Sequence, residues 1–239
     1  MTTLPLTKLT PSPRLVEVMV MLVSILGTGM LNIDTTAINV ALPAIQLGLG
    51  ADIGDIQWLI DIFILTLATL LLIGGAIGDR YGRARMAALG AFVFSLASLA
   101  SGLAQSLGFL LAMRALQGVG GALLAPNGLA LINATIPAAR RGRMIGLWAT
   151  ITTVVIAVGP LLGGWLVDQV SWRAIFLINV PLGFIACGAA LRYIPESRDA
   201  HQTGPLDWPG AVALIMGLGG LLFALIEGPH LGWRHPLTV

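Results

Sequence analysis

Charge is what this 239-residue chain lacks: Asp, Glu, Lys and Arg together make up 10% of it. A soluble domain of this length needs far more polar surface to cover its core, so that class is excluded. Cysteine is nearly absent. Cys187 stands alone inside an apolar run, which rules out a disulfide within the chain and a metal site built on cysteine. It reads as small apolar filler. Aromatic residues amount to only 6%. No Walker lysine motif occurs, so ATP is not the evident energy source. No run alternates apolar and polar residues as the strands of a membrane barrel do. The first apolar run is long, carries Asp34 and has no small-residue cleavage site, unlike a cleavable signal peptide.

What the chain has instead is apolar length. Hydrophobic residues make up 56% and the mean hydropathy is +0.91. Several runs near 20 residues are almost free of charge, the length that crosses about 30 Å of hydrocarbon. Its 30 glycines suit helices that pack closely in lipid. The expected fold class is an all-α membrane protein with seven spans, at about 15–42, 56–78, 86–105, 108–134, 144–167, 174–193 and 209–227. Pro137 and Pro195 lie just past spans four and six, where helices commonly stop. Asp207 followed by Pro209 resembles an N-cap and a first-turn proline opening span seven.

The basic residues give the orientation. Lys8, Arg14, Arg80, Arg83, Arg85, Arg140, Arg141, Arg143, Arg192 and Arg198 fall on one side, Arg173 and Arg234 on the other. Such asymmetry in short loops places the larger group, and the N-terminus, in the cytoplasm. The expected organisation is a cytoplasmic segment 1–14, a six-helix bundle 15–193, a cytoplasmic linker 194–208, the seventh span 209–227 and an extracytoplasmic tail 228–239. Six helices suggest two three-helix units in opposite orientations, although no sequence repeat is evident.

Ionisable groups inside a span cost about 2.5–3.5 kcal/mol each on insertion scales, so the few present carry information. Asp34 lies in span one, Asp61 in span two and Arg114 in span four; Glu227, at the outer end of span seven, is a weaker fourth. Carboxyls in low dielectric pay to ionise, so Asp34 either takes up and releases a proton or bridges helices. Asp61 lies a short way into its span, in a coupling role or in a hydrated outer vestibule. Arg114, Gln117, Gly118 and Gly121 are spaced at three, four and seven and share one helix face, which belongs inside the bundle. An arginine keeps its proton, so Arg114 either influences a carboxylate or binds an anionic group, or serves as a structural counter-ion near the cytoplasmic interface. Thr66, Ser95, Asn127, Thr152 and Asn179 either line a cavity or bond their own helix backbone.

Two glycine-rich stretches complete the pattern. Residues Gly74 to Arg85 form a short basic turn between spans two and three, containing Gly75, Asp79, Arg80, Gly82 and Arg83. Span five carries Gly159, Pro160, Gly163 and Gly164. Pro160 removes a backbone donor, and Gly159 with Gly163 forms a small-xxx-small face. That stretch either bends to seal a pathway or serves ordinary helix packing. Gly118-Val119-Gly120-Gly121 is no dinucleotide fingerprint, because it lies within a membrane helix.

The turn resembles the loop between helices two and three of the major facilitator superfamily, which reads G-x-x-x-D-R-x-G-R-[KR]. Gly75, Asp79, Arg80, Gly82 and Arg83 match, Ala84 replaces the final basic residue and Arg85 follows one step later. The face of Arg114, Gln117 and Gly118 is similar to the family's helix-four motif, associated with proton coupling. Gly159-Pro160 with Gly163-Gly164 resembles the helix-five motif of antiporters. Residues 34–43, Asp34 to Pro43, resemble the helix-one motif of fourteen-helix drug–proton antiporters, and residues 172–181, Trp172 to Pro181, add to that match.

The resemblance implies a major facilitator-like N-terminal bundle of 3+3 inverted repeats plus a seventh helix. It implies no enzyme but a transporter exporting drug-like or amphipathic small molecules, driven by a proton gradient without a cofactor, in the plasma membrane. Asp34, Arg114 and Asp61 would couple protons, and Gly75, Asp79, Arg80, Gly82 and Arg83 would form a conformational latch. Asp79 would cap a helix terminus or pair across the bundle, with Arg80 and Arg83 holding neighbouring cytoplasmic ends. The expected partners are the substrate, the bilayer and a second, C-terminal half; no nucleic-acid partner is expected. The alternative is a non-transporting membrane fragment with a structural or interaction role.

Overall fold

The computed structural model describes residues 12–199 and 207–231, with the side chains of Ile53, Trp208 and residues 227–231 left aside. Lys8, the rest of the first segment, linker residues 200–206, Arg234 and the Glu227 side chain lie outside the described residues. The helices are α1 (Pro13–Leu49), α2 (Ile53–Tyr81), α3 (Arg83–Gly102), α4 (Leu107–Thr135), α5 (Ala138–Gln169), α6 (Arg173–Leu177), α7 (Asn179–Tyr193) and α8 (Trp208–Leu231). The chain is a multi-pass membrane protein: among the described residues, which form helices and no strand, seven helical stretches are long and apolar enough to span, with α6 and α7 together forming one of them.

Three boundaries differ from the sequence expectation, each for a local reason. Helix α1 runs through Pro43 to Leu49 and stops where Gly50 takes a left-handed φ of 63° and its N–H returns to the Gln46 carbonyl. One missing N–H did not end a helix whose later turns are themselves packed: Ile45 is buried against the bundle. Helix α5 begins at Ala138, six residues early, because Arg140 gains Glu17 of α1 at 2.6 Å. The sixth span is divided at Ile178, whose φ and ψ remain helical at −62° and −29°. Pro181 cannot donate to the Leu177 carbonyl, which weakens the ladder at that point. The expected start of the seventh span is seen: the Gly210 N–H donates to Asp207 Oδ1 at 2.9 Å.

Glycine seams set the packing. A side chain on Gly74 would overlap the Ala122 carbonyl, and one on Gly78 would overlap Asn127, so α2 and α4 run parallel in backbone contact. A side chain on Gly159 would overlap Thr36, and one on Gly163 would lie 2.8 Å from Ala37, so α5 and α1 do the same. Gly159 and Gly163 follow Gly74 and Gly78 by one common interval in the sequence. Exchanging the first three spans with the second three turns the α2–α4 seam into the α5–α1 seam, and the α3–α4 contact into that of α6 and α7 with α1. This is the two-fold relation of inverted three-helix units, visible in the seams although not in overall sequence similarity.

The apolar core divides along the bundle. One cluster gathers Val20, Ala87, Leu131 and Ala190 at one end. Another gathers Ile38, Leu59, Leu110 and Phe176 at the other. Between them Met30, Leu31, Phe63 and Phe94 form a small central group. Beside that waist lies a layer of buried polar side chains.

Candidate functional site

Five structural elements deliver one polar cluster to the waist. Asp34 comes from α1, Ser98 from α3, Arg114 and Gln117 from α4, and Asn179 from the start of α7; all five are fully buried. A sixth contribution is the Leu59 carbonyl of α2, which accepts from Arg114 Nε at 2.9 Å. Arg114 Nη1 donates to Asp34 Oδ2 and, at 3.1 Å, to Gln117 Oε1. Gln117 Nε2 donates to Ser98 Oγ at 2.8 Å and to Asp34 Oδ1 at 3.2 Å. Asn179 Nδ2 is 3.5 Å from the same carboxylate oxygen. The guanidinium lies over the Phe63 ring at 4.4 Å, a cation–π contact that keeps part of its solvation shell non-aqueous.

Glycines make that convergence possible. A Cβ on Gly118 would sit 2.9 Å from the Phe63 carbonyl and 2.7 Å from Thr66, so α2 reaches α4 only because Gly118 has none. Gly121 does the same for Leu31 of α1, at 2.8 Å. The helix-four face thus divides its labour: Arg114 and Gln117 hold the acid, while Gly118 and Gly121 admit the helices that carry it.

The geometry is that of a buried, hydrogen-bonded ion pair. Desolvating both charges is expensive, and mutual attraction offsets it only where the remaining lone pairs and protons are also satisfied. Here Asp34 has donors on both oxygens. Arg114 Nη2 and Asn179 Oδ1 lack a hydrogen-bond partner within the protein, so the cluster retains unspent polar capacity. Removing either partner would leave the other charge buried without its counter-ion, so the pair joins α1 to α4.

Asp61 is placed elsewhere. It is half-buried and lines a cavity of about 320 Å³ with Asp52, Asp55, Gln57 and Trp58 near the start of α2. Among the polar residues with two readings, Thr66, Ser95 and Thr152 each donate to a carbonyl of their own helix, at 2.7, 2.8 and 2.9 Å. Asn127 spans α4 and α2, donating to Leu123 and Gly74 carbonyls. Asn179 alone of that group reaches the acid. Ser98 was missed because a serine in a small-residue helix carries no pattern of its own.

At the loop between α2 and α3, Gly82 has a φ of 120°, a conformation only glycine adopts without strain, and the turn reverses there. Asp79 pairs with Arg83 at 2.7 Å across the turn, rather than with a partner across the bundle. The cap belongs to Glu196, just after α7: its carboxylate accepts from the N–H groups of Ala84 at 3.0 Å and Arg85 at 3.2 Å, at the positive end of α3. Two backbone bonds flank it, from Arg83 N–H to the Ser197 carbonyl at 3.0 Å and from Asp199 N–H to the Asp79 carbonyl at 2.9 Å. A side chain on Gly82 would overlap the Glu196 carboxylate. Ala84 is buried in the core, where a charged residue would be unfavourable. Arg80 lies over the Tyr81 ring at 5.6 Å, and a Cβ on Gly75 would meet Pro126 at an ordinary 3.5 Å.

On α5, Gly159 and Gly163 meet α1, a side chain on Gly164 would lie 3.8 Å from Val40, and Pro160 is exposed. The helix is continuous through it.

Over residues 24–234 the sequence matches the Major Facilitator Superfamily. It is 37% identical over 215 residues to Multidrug resistance protein Stp of Mycobacterium tuberculosis (strain CDC 1551 / Oshkosh), covering 90% of this chain and 40% of that protein. It is 39% identical over 221 residues to Methylenomycin A resistance protein of Bacillus subtilis (strain 168), covering 92% and 47%. The fold is shared with a peptide transporter POT in complex with sulfate, at a TM-score of 0.66 and 18% identity over 93% of this chain and 48% of that one. A bacterial homolog of the lysosomal transporter Spinster superposes with a TM-score of 0.64 at 22% identity, over 92% and 49%. The chain spans less than half the length of each of these proteins. With a match over most of its own length, and with its seven helices arranged as they are, the chain belongs to the Major Facilitator Superfamily.

Proposed function

We propose that this chain is the N-terminal part of a proton-coupled antiporter that exports drug-like or amphipathic small molecules by alternating access. The observation that carries this reading is the fully buried Asp34–Arg114 pair, where α1, α2, α3, α4 and α7 all contribute to a single protonatable joint. The drug-resistance names of the relatives favour efflux. In this mechanism proton uptake by Asp34 loosens α1 from α4 and opens one side of the bundle. Substrate binding then competes with the proton for the same conformational change. No covalent chemistry is needed. Moving one charge through 100 mV supplies about 2.3 kcal/mol, enough for roughly a 50-fold gradient.

The remaining assignments follow from this reading. The asymmetry of the ten basic residues supports a cytoplasmic N-terminus, and the family resemblance supports the plasma membrane. The substrate site lies between this bundle and a second one, which completes the transporter. The loop with Asp79, Arg83 and Glu196 acts as a latch whose contacts form in one state and break in the other. Asp61, in its open acidic cavity, accepts protons or attracts cationic molecules before they reach the interior.

The test uses the complete protein that contains this chain, reconstituted into vesicles with an imposed proton gradient. Efflux of a drug-like cation should collapse when the gradient is dissipated, and Asp34→Asn should abolish gradient-driven efflux while substrate binding persists. Transport unchanged by both treatments would overturn the reading.

A further inference from the structure

A second site lies away from the buried ion pair, between α2 and α8. The two helices flank an open groove of about 730 Å³, within the usual size range for sites that hold small molecules. Its existence follows from the sequence of α8. Gly219 and Gly220 present no side chains where α8 faces Thr66 and Thr69 of α2, and Trp58 and Phe223, 6.1 Å apart, hold the helices together nearby. Met216, flexible and polarisable, lines the same space.

The decisive group is Thr69. It sits midway along α2 and is only 6% exposed, yet its hydroxyl has no hydrogen-bond partner. Its neighbour Thr66 behaves differently, donating to the Ile62 carbonyl of its own helix. The tip of Thr69 is turned toward α8: a Cβ on Gly219 would lie 3.4 Å from its methyl carbon and 3.5 Å from its hydroxyl oxygen. A buried hydroxyl left without a partner is unfavourable, and membrane hydrocarbon offers it nothing.

We propose that the α2–α8 groove binds an amphipathic small molecule with an apolar body and a hydrogen-bond acceptor, such as a carbonyl, placed against Thr69. The shape and lining suit the apolar body, and the free hydroxyl requires the acceptor. A lipid acyl chain fits the apolar walls but leaves Thr69 unsatisfied, which is why it is the lesser occupant. This site does not depend on proton coupling at Asp34.

The experiment is a fluorescence titration of the 239-residue chain in detergent micelles, with protein-free micelles subtracted. Two probes are compared: Nile red, an apolar dye carrying a carbonyl, and diphenylhexatriene, a hydrocarbon without an acceptor. Nile red should bind saturably and more tightly than diphenylhexatriene. Thr69→Val, which keeps the shape and removes the hydroxyl, should weaken Nile red binding about five-fold and leave diphenylhexatriene unchanged, while Thr69→Ser restores it. Gly219→Leu, which fills the space, should abolish binding of both. Should that variant fail to fold by circular dichroism, the Thr69→Val and Thr69→Ser pair decides alone. Absence of saturable Nile red binding, or equal affinity of Nile red for the wild-type and Thr69→Val chains, would overturn the proposal. So would equal affinity for the two probes, the mark of an acyl-chain groove. Nile red binding is read without a proton gradient, so failure here is separable from failure of the transport reading.

Discussion

Among the described residues, the aspartate–arginine pairs Asp34–Arg114 and Asp79–Arg83 differ in nearly every respect but chemistry. Asp34 and Arg114 are 80 positions apart, fully buried and surrounded by side chains from other helices. Asp79 and Arg83 are four positions apart, with side chains 30% and 20% exposed, on either side of one turn. The first pair holds tertiary structure together in a medium that solvates neither charge. The second shapes a local turn at a wet surface, where water and salt compete with it. Teaching from the contrast is direct: within one membrane protein, the depth of an ion pair decides whether it is a structural hinge or a local trim.

The sharpest way to break the comparison is to remove one partner from each pair. Arg114→Leu leaves Asp34 buried without its counter-ion and should cost about 3–5 kcal/mol, read as a large loss of thermal stability in detergent. Adding Asp34→Asn to that variant should recover much of the loss, because the uncompensated charge is gone. Next in size is a change that leaves both pairs intact but parts the helices beneath them. Gly74→Val forces a side chain into the Ala122 carbonyl and should destabilise the chain by about 1–3 kcal/mol, seen as lower folded yield on size-exclusion chromatography. Glu196→Ala removes the cap of α3 and should cost about 0.5–2 kcal/mol, with faster proteolysis between α2 and α3. Asp79→Asn should be smallest, about 0.2–1 kcal/mol, and should fade in high salt, whereas the Arg114→Leu effect should persist. Equal salt sensitivity of the two would erase the distinction.

Much of this was legible beforehand because membranes narrow the choices. Apolar length gives the spans, and the expense of intramembrane charge singles out Asp34 and Arg114. The shared face of Arg114, Gln117, Gly118 and Gly121 places that charge inside the bundle. Neighbours of the pair were less legible. Ser98 and Asn179 are ordinary polar residues in sequence; only the crossing of α3 and α7 beside α4 brings them to Asp34. Glu196 was hidden for a different reason. It lies in a polar stretch that reads as a linker, and its partners are backbone N–H groups, which leave no trace in residue types. The seam of Gly159 with Gly163 shows in the sequence as a small-xxx-small face, whereas Gly74 and Gly78 read as part of a turn; the equivalence of the two seams depends on which helix each one faces.

Glu196 and its flanking backbone bonds tie the exit of α7 to the α2–α3 turn. Because Asp199 N–H donates to the Asp79 carbonyl and Arg83 N–H to the Ser197 carbonyl, the segment that leaves α7 is clamped to the turn that Asp79 and Arg83 shape. A tilt of α3 at that turn is therefore transmitted to the end of α7, and the two helices move as one unit at this end of the bundle.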